Sequence, residues 1–168
     1  MMSMSFNYLT ENHLLNLDDL QAAIEDHEED FNHDTQRLLR VEKNLREYNG
    51  LLKHLGLYHK YRPLYEQYFK TRKSPKFWEK NIRELLLYDG VVKYLREYQQ
   101  AHHVNSVPNY QSLKEAKVRL TAQQQDLYER RRRLKDTIKT MQDGYRLLAE
   151  REPSIRHSLN RNQYYELE

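Results

Sequence analysis

Residues 17–55 read LDDLQAAIEDHEEDFNHDTQRLLRVEKNLREYNGLLKHL, and their apolar side chains recur at alternating steps of three and four residues. One set repeats every seven residues: Leu17, Ile24, Phe31, Leu38, Leu45 and Leu52. The companion set lies three positions further on: Leu20, His27, Asp34, Val41, Tyr48 and Leu55. This spacing is typical of a coiled-coil seam. With Asn16 as N-cap, it predicts a long helix over residues 16–59.

A second seam occupies the last third of the chain. Its first set is Leu113, Leu120, Leu127, Leu134, Met141 and Leu148. The alternate positions are half polar: Tyr110, Lys117, Gln124, Arg131, Ile138 and Tyr145. Pro108 and Asn109 supply a stop and a cap. The pattern predicts a second long helix within residues 108–150, ending before Pro153.

Neither helix is expected to be stable alone, because a narrow apolar seam needs a partner. An antiparallel coiled-coil hairpin would place the acidic residues 25–34 near the basic residues 130–139. A homodimer through either helix is the competing arrangement. In both cases Asp34, Lys117 and Arg131, as polar seam residues, would set the register.

The segment 60–107 between the two seams has helix-start signals of its own. Pro63 and the pair Ser74–Pro75 each suit the first turn of a short helix. From Asn81 to about Gln100 the apolar stripe is broader. We therefore expect an all-α chain whose long helices carry a small helical module at the tip of the hairpin. Residues 1–15 are expected to be a flexible N-terminus and residues 151–168 a frayed tail.

The composition agrees with exposed helices in one elongated domain. Charged residues make up 32 % of the 168 residues, and Gly and Pro number four each. The chain has no cysteine, which excludes disulfides and thiolate metal sites and fits a reducing compartment. It also shows no signal peptide and no apolar run of the roughly 20 residues that a membrane helix needs. We expect a cytoplasmic protein without membrane contact.

Charge is distributed very unevenly. Residues 1–34 contain nine acidic residues and no Lys or Arg, whereas all 28 basic residues follow against the remaining 16 acidic ones. The two regions can satisfy each other or bind partners of opposite charge.

Catalytic signatures are missing from the sequence. There is no phosphate-binding glycine loop and no Ser-His-Asp pattern. His27 and His33 lie among carboxylates, which we interpret as a solvated acidic face rather than a metal site. The abundant tyrosines follow the helix seams. We expect no enzyme, no cofactor and no metal.

Basic residues form two candidate binding groups. The first surrounds the Ser74–Pro75 turn and comprises Lys70, Arg72, Lys73, Lys76, Lys80 and Arg83. The second lies in the RRRR stretch and comprises Arg130, Arg132, Arg133 and Lys135. Cations clustered in this way either contact phosphates or, for the second group, pair with the acids of the first helix. Phe69, Phe77 and Trp78 are expected to form the core of the tip; exposed, they would stack on unpaired bases or anchor a protein.

The text YRPLYEQYFKTRKSPKFWEKNIRELLLYDGVVKYLREY at 61–98, followed by SVPNYQSLKEAKVRL from Ser106, resembles the C-terminal helical region of relaxases. These are mobilisation nucleases of Gram-positive plasmids and integrative elements. The resemblance covers residues from about 30 to about 150 and concerns a helical module without a catalytic motif. The nuclease domain of relaxases, with its catalytic Tyr or His and metal-binding histidines, has no counterpart in the sequence.

Three functions follow from this reading. The resemblance implies a non-catalytic helical module that contacts DNA or the transfer machinery. A stand-alone mobile-element protein that binds and inhibits a host protein, such as a defence nuclease, is the second alternative. The third is a structural coiled-coil dimeriser.

Overall fold

In the computed structural model the described residues are 7–9 and 16–165, with side chains described as far as residue 151, and most of them are helical. From residue 17 onward four helices follow one another: α1 (Leu17–Lys70), α2 (Pro75–Lys80), α3 (Ile82–Ala101) and α4 (Tyr110–Tyr165). The two long helices, α1 and α4, pack closely. None of the described residues is in a β-strand.

Side-chain caps start the helices where the sequence predicts. The Oδ1 atom of Asn16 accepts a hydrogen bond from the backbone N–H of Asp18 at 2.8 Å. Asn109 caps α4 in the same way, accepting from the N–H of Ser112 at 2.7 Å. Ser74 precedes α2, and Pro75 takes the first helical position, where no backbone donor is needed.

The chain divides into two compact units. The first contains residues up to Leu39 and those from Gln125 onward. Its core consists of Leu9, Leu20, Ile24 and Met141, with Tyr145 and Leu148 packed against them. The contacts therefore join the start of α1 to the last part of α4.

The second unit is the continuous stretch 40–124. The cluster at its core takes buried residues from three helices: Leu51, Leu55, Val91, Leu95 and Leu113. Partly buried tyrosines, among them Tyr48, Tyr58, Tyr94 and Tyr98, surround this core. The apolar stripes of α1, α3 and α4 thus meet in one layer, which is why α3 is stable here.

Burial follows the predicted seams closely in both long helices. Leu20, Ile24, Leu38, Val41 and Leu45 are buried in α1, as are Leu113, Leu127 and Met141 in α4. The seam shifts by one residue near the Gly50 position, so that Leu51 is buried and Leu52 is only partly buried.

The broad apolar stripe predicted for α3 is wrong in part. Leu85, Tyr88, Val91 and Leu95 are buried along one narrow line. Ile82 and Leu86 lie outside it and are 45 % and 54 % exposed.

The predicted break of the first helix near residue 59 is wrong, because α1 continues to Lys70 with Pro63 inside it. A proline removes the hydrogen bond to the carbonyl four residues earlier, here that of His59. Both Pro63 and His59 are exposed, so water can replace that bond. Tyr58 and Tyr65, on either side of the proline, both stack on Tyr88 and hold the helix in place.

Two predictions for the ends of the chain also need correction. The backbone of α4 remains helical through Pro153 to Tyr165, where a frayed tail from residue 151 was expected. A proline costs a helix one hydrogen bond but does not have to end it. At the other end Leu9, expected to be flexible, is buried in the first unit's core. Residues 1–6 and 10–15 lie outside the described residues.

Candidate nucleic-acid interface

The turn between α1 and α2 presents two basic residues in an uncommon backbone conformation. Arg72 and Lys73 have φ angles of 55° and 59°, in the left-handed region. The N–H of Lys73 donates to the carbonyl of Tyr68 at 3.2 Å, and that of Arg72 to the carbonyl of Phe69 at 3.0 Å. This pair of bonds is a Schellman helix end, where glycine is the usual residue. An arginine at this place keeps a cation on the turn at the cost of backbone strain.

The six basic residues predicted around this turn are all exposed. They lie between the end of α1 and the first turn of α3: Lys70, Arg72, Lys73, Lys76, Lys80 and Arg83. None of them forms an ion pair with a described carboxylate. Their charge therefore remains available to a partner. We call these six residues the basic turn.

Aromatic side chains next to the basic turn are more open than predicted. Phe69 is 50 % exposed, and Phe77 and Trp78 are only partly buried. No residue of α2 is buried, because a helix of six residues has one short face to pack. The expectation that these three rings form the core of a tip is therefore wrong. We call Tyr68, Phe69, Phe77 and Trp78 the ring cluster.

Stacked tyrosines of α1 and α3 pack against the ring cluster. Tyr65 stacks on Tyr88 with ring centroids 4.5 Å apart and contacts Phe69 edge-on at 5.1 Å. Burial, together with the hydrogen bond that the Tyr88 hydroxyl donates to Tyr58, raises the pKa of Tyr88 to about 12. Arg62 pairs with a carboxylate on its own helix, since its Nε donates a hydrogen bond to Glu66 at 3.0 Å. This bond raises the pKa of Arg62.

Two of the four residues in the second predicted basic group pair with carboxylates of their own unit. Arg130 Nε lies 2.9 Å from a carboxylate oxygen of Asp34, whose side chain is fully buried. Arg133 pairs with Glu129 at 3.4 Å. Lys135 lines a recess with Glu28 and Ile138, and Arg132 is exposed. Part of this group thus pairs with acids, so it is a weaker candidate than the basic turn.

Sequence reasoning placed Arg131 on the seam, and the structure agrees. Its guanidinium carbon lies 4.8 Å from the centre of the Phe31 ring. Its Nε atom is buried without a hydrogen-bond partner among the described residues. The side chain therefore fills the seam by packing and by cation–π attraction.

A polar cluster that sequence reasoning missed joins α1 to the C-terminal end of α3. His102 Nε2 lies 3.1 Å from Glu47 Oε1, and its ring is 4.2 Å from that of Tyr98. His54 stacks flat on Tyr94 at 3.6 Å. Burial and the nearby Glu47 carboxylate raise the pKa of both Tyr94 and Tyr98. Only the i, i+4 spacing of Tyr94, Tyr98 and His102 signals this cluster in the sequence.

Within the described ranges, no three His, Asp or Glu side chains come together as metal ligands would. No described helix combines the length and the apolar character needed to cross a membrane.

Comparisons with protein-family models, curated proteins and solved structures found no match. The resemblance to relaxases therefore stays a prediction from the residues quoted above.

Proposed function

We propose that the protein is a non-catalytic helical module that binds nucleic acid through the basic turn. The observation that carries this proposal is a run of six exposed, unpaired cations within fourteen residues, two of them at positive φ. Fixed cations next to each other attract the phosphate backbone and release its counterions. The resemblance to relaxases supports DNA as the nucleic acid and a role beside DNA-transfer machinery.

The helix arrangement belongs to the same proposal. Supporting contacts in the first unit join residues 20–24 to 141–148 and residue 34 to residue 130. In the second unit Gln124 donates to Glu42 at 3.5 Å, and Leu51 and Leu55 pack against Leu113. Within each unit, residues later in α1 contact residues earlier in α4. This order supports an antiparallel pairing of the two helices. The position of segment 60–107 at the tip of a hairpin stays a prediction.

Binding to labelled DNA at two salt concentrations tests the function. The expected result is salt-sensitive binding that a combined Lys70→Ala, Arg72→Ala, Lys73→Ala and Lys76→Ala variant weakens at least ten-fold. The matched control is the combined Arg132→Ala, Arg133→Ala and Lys135→Ala variant, which changes three charges on α4 and should bind nearly as tightly as the parent. Absence of DNA binding by the parent protein at low salt would contradict the proposal. Equal losses in the two variants would mean that the cations of α4 contribute to the interface as much as the basic turn does, against the proposal.

Protein binding is the second candidate, favoured by one observation. Ile82, Leu86 and Leu87 are 40–54 % exposed on α3, beside Arg83. Exposed aliphatic side chains next to cations fit an acidic partner protein, such as a component of the transfer machinery or a host nuclease. A purified partner whose binding is lost with Leu86→Asp but kept with the four-alanine variant would support it.

The coiled-coil dimeriser predicts a dimer by light scattering that is insensitive to salt.

A further inference from the structure

We propose that the ring cluster makes the interface selective for single-stranded nucleic acid, by stacking unpaired bases on Phe69 and Trp78. This inference rests on the proposed function and adds the substrate form that the site prefers. It starts from the exposure of aromatic rings within the same short segment as the basic turn.

Phe69 has the most exposed ring of the ring cluster. It lies one residue before the end of α1, and half of its surface is exposed. The ammonium group of Lys73 lies 5.0 Å from the centre of its ring. A base that stacks on the open part of this ring brings its own phosphate close to an unpaired cation. Ring and charge therefore match the two parts of one nucleotide.

Trp78 and its neighbours extend the same surface. The ring of Tyr68 contacts those of both Phe77 and Trp78, with centroid distances of 6.1 Å and 5.5 Å. Because each of these rings is partly exposed, the cluster offers more than one place for a base. Successive bases on successive aromatic rings, next to a track of cations, are the common pattern of single-strand binding.

Duplex DNA does not use such a surface in the same way. Bases inside a duplex are covered on both faces by their neighbours, so a protein ring reaches them only after costly unstacking. Cations alone bind duplex and single strand through the same phosphates. The rings therefore discriminate, while the cations supply the affinity common to both forms.

The sequence supplies a reporter for the test, because Trp78 is the only tryptophan. Its fluorescence is followed during titration with an oligothymidylate of about 16 nucleotides and with a duplex of equal length. In parallel, fluorescence anisotropy of the labelled strands gives the affinities of the parent, Phe69→Ala, Phe69→Tyr and Leu86→Ala. Circular dichroism confirms that each variant is helical.

The expected result has three parts. The single strand quenches Trp78 and binds at least ten-fold more tightly than the duplex. Phe69→Ala weakens single-strand binding about 5- to 100-fold and leaves duplex binding unchanged. Phe69→Tyr retains a stacking ring and binds like the parent. Leu86→Ala removes an equally exposed apolar side chain that is no stacking ring, and it also binds like the parent.

The two proposals fail in different ways. Equal affinity for both nucleic acids, with no effect of Phe69→Ala and no quenching of Trp78, overturns the stacking inference while the basic turn keeps its function. Absence of binding to either form at low salt overturns the proposed function and the inference together. An equal loss with Leu86→Ala and Phe69→Ala also overturns the inference, since general apolar contact would then explain the binding.

Discussion

At the scale of single residues, Asp34 stands out because it is the charged residue that is buried among the described residues. Its carboxylate is fully inaccessible and lies near two guanidinium groups, Arg130 at 2.9 Å and Arg37 at 3.7 Å. Neither oxygen has a hydrogen-bond donor in good geometry among the described residues. The contact is therefore an ion pair in which the acid is desolvated and Arg130, 54 % exposed, remains half in water.

This asymmetry predicts unequal effects of removing the two partners. Arg130→Ala leaves a buried carboxylate with one distant cation and should lower the free energy of unfolding by about 2 kcal/mol. Asp34→Leu fills a seam position with an apolar side chain and lets Arg130 turn to water, so it should be neutral or stabilising. Urea denaturation of both single variants and the double variant measures the coupling.

In the Asp34→Leu background, Arg130→Ala should leave the free energy of unfolding almost unchanged. Arg133→Ala is the control, since its pair with Glu129 is on the surface and should contribute less than about 1 kcal/mol. Equal costs for Arg130→Ala in both backgrounds would show that Arg130 stabilises the helix without Asp34.

Replacing a glycine by alanine tests how tightly the first unit is packed around that position. A Cβ atom on Gly144 would lie 2.7 Å from Leu9 Cδ1 and 3.2 Å from two further Leu9 carbons, whereas Gly56 has open space around it. Alanine is favoured over glycine in a helix by about 1 kcal/mol. Gly56→Ala should therefore raise the melting temperature, and Gly144→Ala should lower it by displacing Leu9.

Leu9→Ala supplies the matched background for this comparison. Once the leucine side chain is shortened, Gly144→Ala should become stabilising, as Gly56→Ala is in the parent. A Gly144→Ala variant that stabilises the parent as well would show that Leu9 moves away at little cost.

At the scale of elements, the helices illustrate what local sequence can and cannot specify. The caps at Asn16, Ser74 and Asn109 were predictable because one side chain satisfies backbone donors two or three residues away. The sequence around Pro63 does not specify its role, because a proline at a helix start and a tolerated proline inside a helix have the same local signal. The tyrosines that decide between them are brought together only by the packing of α1 against α3.

The end of α1 yields a prediction that separates stability from binding. Arg72 has a φ of 55° at the glycine position of the Schellman motif. Arg72→Gly should raise the free energy of unfolding by about 1 kcal/mol, because glycine adopts this conformation without steric cost. The same variant should bind DNA less tightly, because one cation of the basic turn is lost.

Thermal denaturation and DNA titration of the same Arg72→Gly preparation measure the two effects. His103→Gly is the control, since His103 has a φ of 54° at the end of α3 and lies outside the basic turn. It should stabilise the protein and leave DNA binding unchanged. Weaker DNA binding by His103→Gly would mean that the end of α3 also contributes to the interface.

At the scale of the whole molecule, the acidic and basic regions do not neutralise each other fully. Glu25, Asp26, Glu28, Glu29 and Asp30 are all exposed, as is the basic turn. Of the expected pairing between acids of α1 and cations of α4, the described residues show the ion pair of Asp34 with Arg130. Most of the charge therefore faces solvent and is available to partners.

The whole fold should also respond to alkaline pH through its buried tyrosines. The pKa of Tyr88 rises from 10.0 to about 12 on folding, so the folded state keeps a proton that the unfolded state releases. The contribution of Tyr88 to the free energy of unfolding is therefore fully present below about pH 10. It is lost as the pH rises towards 12, by on the order of 2 kcal/mol. Tyr94 and Tyr98, whose pKa values are also raised, add to the loss in the same direction.

Urea denaturation at pH 9 and at higher pH measures this dependence. Tyr88→Phe should be less stable than the parent at pH 9, through the lost hydrogen bond with Tyr58, and should lose less stability on going to alkaline pH. An identical pH slope in Tyr88→Phe and the parent would assign the alkaline loss to other groups.

Much of the molecule could be predicted from periodicity and caps alone. The seams of α1 and α4 were predictable because burial follows a simple repeat, and the basic turn because its cations are adjacent in sequence. The openness of Phe69, Phe77 and Trp78 was not, since aromatic residues are usually buried and only the shortness of α2 prevents it here. The burial of Asp34 was also not predictable, because its position on the seam fits a solvated register marker equally well.

The one-sided burial of the Asp34–Arg130 pair has an evolutionary consequence. Loss of Arg130 strands a carboxylate, whereas loss of Asp34 releases a half-exposed guanidinium into water. Substitutions should therefore be tolerated in one order, first at Asp34 and then at Arg130. Related chains should pair Asp with a basic residue, or carry an apolar residue with any partner, and should lack the combination of Asp34 with an uncharged residue at 130. Such directional covariation would be readable in an alignment.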